Sequence, residues 1–231
     1  MAHPFYHAHS SARQFGGQAN DYLALHQFFD QSKACIASNV HRLALHHTLG
    51  ITLCLEIYGQ TWHRASDGAS IATKSIAHQH VMEDLGFIPS LHECFRSHPL
   101  SRGVPGLAVR SQEHVLKQLA RKFGGVPGDY EELGTWFYRP GIELDDPRFL
   151  RLLGNSFGIF LSEQRFGITI SRASDHKELP TRTLAEMLVY QAMDTIPTLA
   201  QFFQGMSLEA WMAKGARSLS AEIELTGPFS V

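Results

Sequence analysis

The sequence predicts a mainly α fold: two tandem copies of a small helical domain, each with a short β-hairpin, and then a C-terminal helix. Three observations predict it. The chain repeats itself, its helix-like stretches end at Gly or begin at Pro, and strand-like alternation is confined to one short stretch per copy.

The repeat is the firmest of these. A shift of 108 residues brings Phe15-Gly16-Gly17 onto Phe123-Gly124-Gly125 and Asp21-Tyr22 onto Asp129-Tyr130. It also brings Gly50-Ile51 onto Gly158-Ile159, Arg64-Ala65-Ser66-Asp67 onto Arg172-Ala173-Ser174-Asp175, and Ile88-Pro89 onto Ile196-Pro197. About 25 of about 85 aligned positions are identical, against about 5 for unrelated chains. The division that follows is a first copy over 1–95, a Pro/Gly/Ser-rich linker over 96–108, a second copy over 109–204 and a tail over 205–231.

Each element has a local reason. A first helix over about 5–15 stops at Gly16-Gly17. A second, over about 21–33, takes Asp21 as its N-cap. The third, over 39–58, is the longest and most apolar, and Gly59 ends it. Alternation around Asp67-Gly68 then predicts a hairpin within 60–71. A fourth helix over 73–85 ends at Gly86, and Pro89 opens a last short one. The second copy repeats the plan, with Pro147 and Pro180 at starts and Gly167 at a stop. In the tail, Ser207 to Glu224 reads as an amphipathic helix capped by Ser207.

Composition excludes several classes. The 231 residues are 44% hydrophobic and 18% charged, which suits a globular chain and not a disordered one. A net charge of -2 leaves no bulk positive field for nucleic acid. Cys35, Cys54 and Cys94 form no C-x-x-C pair, so no thiolate zinc site is signalled. The start lacks a basic segment followed by an apolar one, and no run of apolar residues is long enough for a membrane span. The expectation is a cytoplasmic protein.

Histidine carries the functional signal. Eleven of the 14 His lie in the first copy, and none is matched in the second. His7, His41 and His80 become Val115, Phe149 and Leu188. Surface positions would drift to polar residues. Apolar replacements imply imidazoles that are at least half-buried, at places where the second copy fills its core. His3 and His7 are four apart, as are His80 and Asp84, and His41, His46 and His47 cluster in the third helix. Imidazoles and a carboxylate converging from three helices suit a divalent ion such as Zn, Fe or Mn. The expected ligands are His7, His41, His47, His80 and Asp84, with His3 and His46 in reserve. Glu83 is the candidate general base, and Arg42 or Lys33 the candidate anion binder. The plainer reading makes Arg42 a helix-surface residue and Lys33 an exposed lysine at a helix C-terminus. No H-E-x-x-H, Walker or G-x-S-x-G motif is present.

The first copy resembles a family of small, histidine-rich bacterial and phage proteins classed as a domain of unknown function. The residues that carry the resemblance are His7, Ser10-Ser11-Ala12-Arg13, Phe15-Gly16-Gly17, Asp21-Tyr22-Leu23, Phe29-Asp30 and Ser32-Lys33. They continue through His41-Arg42, His46-His47, Gly50-Ile51, Ser66-Asp67-Gly68, Gln79-His80-Val81, Glu83-Asp84-Leu85-Gly86 and Ile88-Pro89. The second copy is similar in framework and lacks the His set. The resemblance implies a fold unit and no reaction. A weaker likeness to HD-type metal phosphohydrolases stops short, because no adjacent His-Asp pair exists.

Two functions are then expected. One is a metal-binding protein, in hydrolytic use if the ion activates water. The other is a non-catalytic assembly module built as a fused pseudo-dimer, with self-association or a protein partner at the C-terminal helix.

Overall fold

The structure, a computed structural model, describes residues 3–96, 108–204 and 206. Most of the expected linker and the expected tail helix lie outside the described residues. The rest is mainly α, in two compact units that divide as the repeat does. Among the described residues no helix is long and apolar enough to cross a membrane.

In the first unit α1 (Pro4–Phe15), α2 (Leu23–Asp30), α3 (Arg42–Leu45) and α4 (Thr48–Tyr58) precede a hairpin. The hairpin pairs β1 (Thr61–His63) with β2 (Ser70–Ala72), and α5 (Thr73–Leu85) and α6 (Leu91–Phe95) follow. Tyr22, Leu25, Phe28, Phe29, Leu43, Leu53, Ile76 and Val81 are buried at its core. The second unit follows this order with α7 (Gln112–Phe123), α8 (Glu131–Glu143) and α9 (Ser156–Phe166), a 3-10 helix at Pro147–Leu152 standing in the place of α3. Next come the hairpin of β3 (Thr169–Ser171) and β4 (Glu178–Pro180), α10 (Thr181–Met193) and α11 (Leu199–Phe203).

The duplicated motifs prove to be one clamp, made once in each unit. Arg64 donates through Nη1 to the Phe15 carbonyl at 2.6 Å and through Nε to Asp67 at 2.9 Å. Asp21 accepts from the Ser66 backbone N–H at 2.9 Å and from the Gln18 N–H at 2.7 Å. Tyr22 closes the loop with a 2.7 Å bond from its hydroxyl to the Gly16 carbonyl. Gly16 has φ 82, and Arg64 passes so near that a Cβ there would lie 2.6 Å from Nη1. Hence the Phe-Gly-Gly stop: the chain must turn left-handed and leave room for a guanidinium. Arg172, Asp129, Tyr130 and Phe123 build the same clamp in the second unit.

Four expectations need correction. The long third helix is broken. A 3-10 turn at Asn39–His41 leads into α3, the backbone leaves the helix at His46 and His47, and α4 starts afresh at Thr48. Apolar periodicity runs through the break, because both pieces bury one face against the same core. Asp21 is the last residue of a 3-10 turn at Ala19–Asp21 whose N-cap is Gln18, its carboxylate accepting the Gln18 N–H, and α2 proper runs only from Leu23 to Asp30 before a further 3-10 turn. Ser90 caps the last short helix in a capping box with Glu93, and Pro89 stands outside it. Pro180 ends β4 and takes the N-cap position of α10, where the start of a helix was expected.

Candidate metal centre

The break in the third helix positions the site. His47, in extended conformation, accepts the Gly50 N–H on Nδ1 at 3.1 Å and so caps α4. Its Nε2 lies 3.2 Å from the Leu43 carbonyl, to which it donates. Both nitrogens are taken by backbone, and His47 is not among the converging ligand atoms. The second copy places Asn155 here with its side chain accepting from Phe157 and Gly158 N–H groups, the same task done by a stronger cap. Gly50 is required next to it, since a Cβ would fall 1.8 Å from the Leu45 carbonyl oxygen.

One residue before the cap, the chain turns His46 inward. Four buried side chains meet there: Asp30 from the end of α2, His46 from the break, and His80 and Asp84 one turn apart on α5. Each offers one ligand atom, and all four atoms lie within 4.8 Å of one another. His46 Nε2 is 3.0 Å from Asp84 Oδ2, 3.2 Å from His80 Nε2 and 3.9 Å from Asp30 Oδ1. Donor atoms held about 2.1 Å from a common ion stand about 3 to 4 Å from each other, and the three distances from His46 Nε2 fall in that range.

A chain of hydrogen bonds fixes which nitrogen of His80 is free to bind. Gln79 donates its amide N–H to Glu83, which leaves its oxygen to accept the Ser11 hydroxyl proton at 2.6 Å. Ser11 must then accept from His26 Nε2, 2.8 Å away. His26 is neutral, because burial and the neighbouring charge of His7 push it down to about 3, so its Nδ1 is an acceptor. That nitrogen faces His80 Nδ1 at 3.0 Å and takes its proton in a hydrogen bond. His80 Nε2 is left with a lone pair turned to the centre. An outer shell of this kind is what orients ligating imidazoles. The ring of Phe29 stacks on His80 at 4.8 Å and 19°.

The protonation states suit a cation. Burial holds His46 and His80 below the usual imidazole value and keeps them neutral. Burial alone would raise Asp84, but hydrogen bonds from His46 and His7 outweigh it and keep the carboxyl ionised. Asp30 is lowered likewise, against its burial, by His41, His46 and Lys33.

The other expected residues surround this core. His7 Nε2 lies 3.4 Å from Asp84 Oδ1, and its Nδ1 lies 2.6 Å from Glu83. Burial lowers His7, yet the two carboxylates win and raise it to about 9. His41 Nε2 is 3.4 Å from Asp30 Oδ1. Arg42 is fully buried with Nη2 3.3 Å from Asp84, which overturns its reading as a surface residue. Lys33 pairs with Asp30 at 2.5 Å. Glu83 accepts from Ser10 and Gln79 at the rim. His3 is exposed and donates no atom to the centre; its Nδ1 accepts from Phe5 N–H at the start of α1. Sequence reasoning passed over Asp30 as a ligand and His26 as an orienting residue. The signal was available: the 108-residue shift turns Asp30 into Tyr138 and His26 into Gly134.

The whole centre is missing from the second unit as a set. Asp30, His46, His80 and Asp84 become Tyr138, Gly154, Leu188 and Ala192, and the orienting Ser11 and Gln79 become Leu119 and Met187. Apolar neighbours close the space: a Cβ at Gly154 would lie 2.4 Å from Leu150 Cδ2. A family model, Domain of unknown function (DUF6915), matches the chain twice, over residues 2–102 and 110–212. The chain belongs to the DUF6915 family. It is a tandem duplication of the DUF6915 domain, and the buried Asp/His group that can hold a metal lies in the first copy. No curated protein and no solved structure matches it.

Proposed function

We propose that this protein binds one divalent transition-metal ion in its first DUF6915 copy, through Asp30, His46, His80 and Asp84. The observation that carries the reading is the convergence of four buried ligand atoms within 4.8 Å. Two neutral imidazoles and two ionised carboxylates form a borderline donor set, suited to Zn, Fe or Mn. In the cluster as it stands, the close approach of His46 Nε2 to both Asp84 and His80 Nε2 is relieved by a single proton on His46. A divalent ion replaces that proton and gives a direct partner to Asp30 Oδ1, whose neighbours His41 Nε2 and His46 Nε2 stand 3.4 Å and 3.9 Å away.

The ligands are at most 5% exposed. Catalytic ions keep an open coordination position that substrate can reach. Burial of the ligands therefore favours a role in holding the ion over hydrolysis of a substrate. Glu83 is the residue that would serve a hydrolytic use, since it stands at the rim in contact with His7.

Metal content decides the matter. Protein stripped with chelator and reloaded with Zn, Mn or Fe(II) should retain about one ion per chain. His80→Leu, the residue found in the second copy, and the near-isosteric Asp30→Asn should each lose it. If wild-type protein retains no stoichiometric ion and none of the three metals raises its melting temperature, the proposal is wrong.

A further inference from the structure

The two copies differ at a second place, remote in sequence from the metal ligands. In the first unit Trp62 on β1 sets its indole edge-on to Tyr58, with centroids 5.8 Å apart at 79°. Its N–H donates to the main-chain oxygen of Asp21 at 2.6 Å. Shifted by 108 residues, Trp62 becomes Ile170, Tyr58 becomes Phe166 and Asp21 becomes Asp129. Isoleucine fills far less space than an indole. The second unit has a cavity there of about 190 Å³, open to solvent, whose walls include Tyr130, Leu133, Phe166, Ile170 and Asp129.

We infer that the cavity beside Ile170 is a binding site for a flat aromatic ligand of indole size that carries an N–H donor. The first unit supplies the template. Its own Trp62 occupies the equivalent place, with an aromatic wall on one side and a main-chain acceptor on the other. The second unit retains both partners, as Phe166 and the Asp129 backbone, and gives up the ring. The volume agrees: a cavity of about 150 Å³ with apolar walls takes up benzene, so this one accepts a somewhat larger ring system. The clamp holds the walls in place, since Asp129 is bonded to Ser174 and Tyr130 to the Gly124 carbonyl. Glu132 and Ser171 also line the cavity.

The probe is indole itself, titrated into the full-length protein and followed by backbone amide NMR shifts. Shifts confined to Tyr130, Phe166, Ile170, Ser171 and their neighbours are expected. Indene, which matches indole in size and lacks the N–H, should bind about fivefold more weakly. N-acetyltryptophanamide, run in parallel, tells a free indole ligand from a tryptophan side chain of a partner. Ile170→Trp should rebuild the first unit's plug and abolish binding with an unchanged circular dichroism spectrum. Ile170→Ala should retain binding if the bulky variant fails to fold. Unmoved shifts at millimolar indole, or undiminished binding by folded Ile170→Trp, would overturn the inference.

Discussion

Asp84 is the residue on which the centre turns. It faces His46 and Arg42, and it shares His7 with Glu83. Asp84→Ala would leave Arg42 and a positively charged His7 buried beside a lost partner, which destabilises by about 3–5 kcal/mol. Urea unfolding of the metal-free variant measures it, and a loss below about 1 kcal/mol would contradict the assignment of Asp84 as their common partner. The buried histidines set a pH window. His26 and His47 are lowered to about 3 and about 4, and His46 and His80 lie below their ordinary value too. Each is protonated in the unfolded chain below about pH 6.5 but not in the folded one, so stability falls as pH drops through that value. The slope is about 1.4 kcal/mol per pH unit for each such group. His7, raised to about 9, works at the other end. Its contribution is complete below about 6.5 and is lost as pH rises through 9. Metal-free protein is therefore expected to be most stable near neutrality. An unfolding free energy that stays flat from pH 7 to 5 would show that the imidazoles are not neutral in the fold.

At the scale of the element, the break between α3 and α4 decides which histidines are structural. Chain spacing puts His46 and His47 on equal terms, and the sequence reading preferred the wrong neighbour for the cluster now seen. Local geometry separates them: one turns into the core and the other caps a helix. His47→Asn should then change stability by less than about 0.5 kcal/mol, because Asn155 already does this work in the second copy, while His47→Ala should cost about 1 kcal/mol. Chemical denaturation of the pair distinguishes a cap from a ligand, and equal losses in both variants would refute the capping role. The helices, hairpins and glycine stops were legible because each has a local cause. Asp30 was not: it stands 16 residues before His46 and is brought to it only by packing of α2. The apolar pattern across 39–58 likewise hides a change of direction that a side chain enforces and periodicity does not record.

On the scale of the whole molecule, the two units have the same framework and different interiors. One packs His80, His41 and Arg42 where the other packs Leu188, Phe149 and Leu150. Metal should therefore act on one unit alone. At an ion concentration about 100 times the dissociation constant, the bound unit gains about 2.7 kcal/mol. Amide hydrogen exchange with and without chelator should show slowed exchange in α2 and α5 and none in α8 and α10. Equal slowing in both halves would mean that the ion acts elsewhere. The duplication itself was the most legible feature of the chain, since a fixed offset needs no knowledge of packing.

The residues that fasten each unit, Phe15, Gly16, Asp21, Tyr22, Arg64 and Ser66, are a separate set from those that converge on Asp84. Architecture and chemistry were thus free to evolve apart. The second unit shows the consequence: apolar residues stand where the first has its buried polar cluster, and the same buckle is still closed.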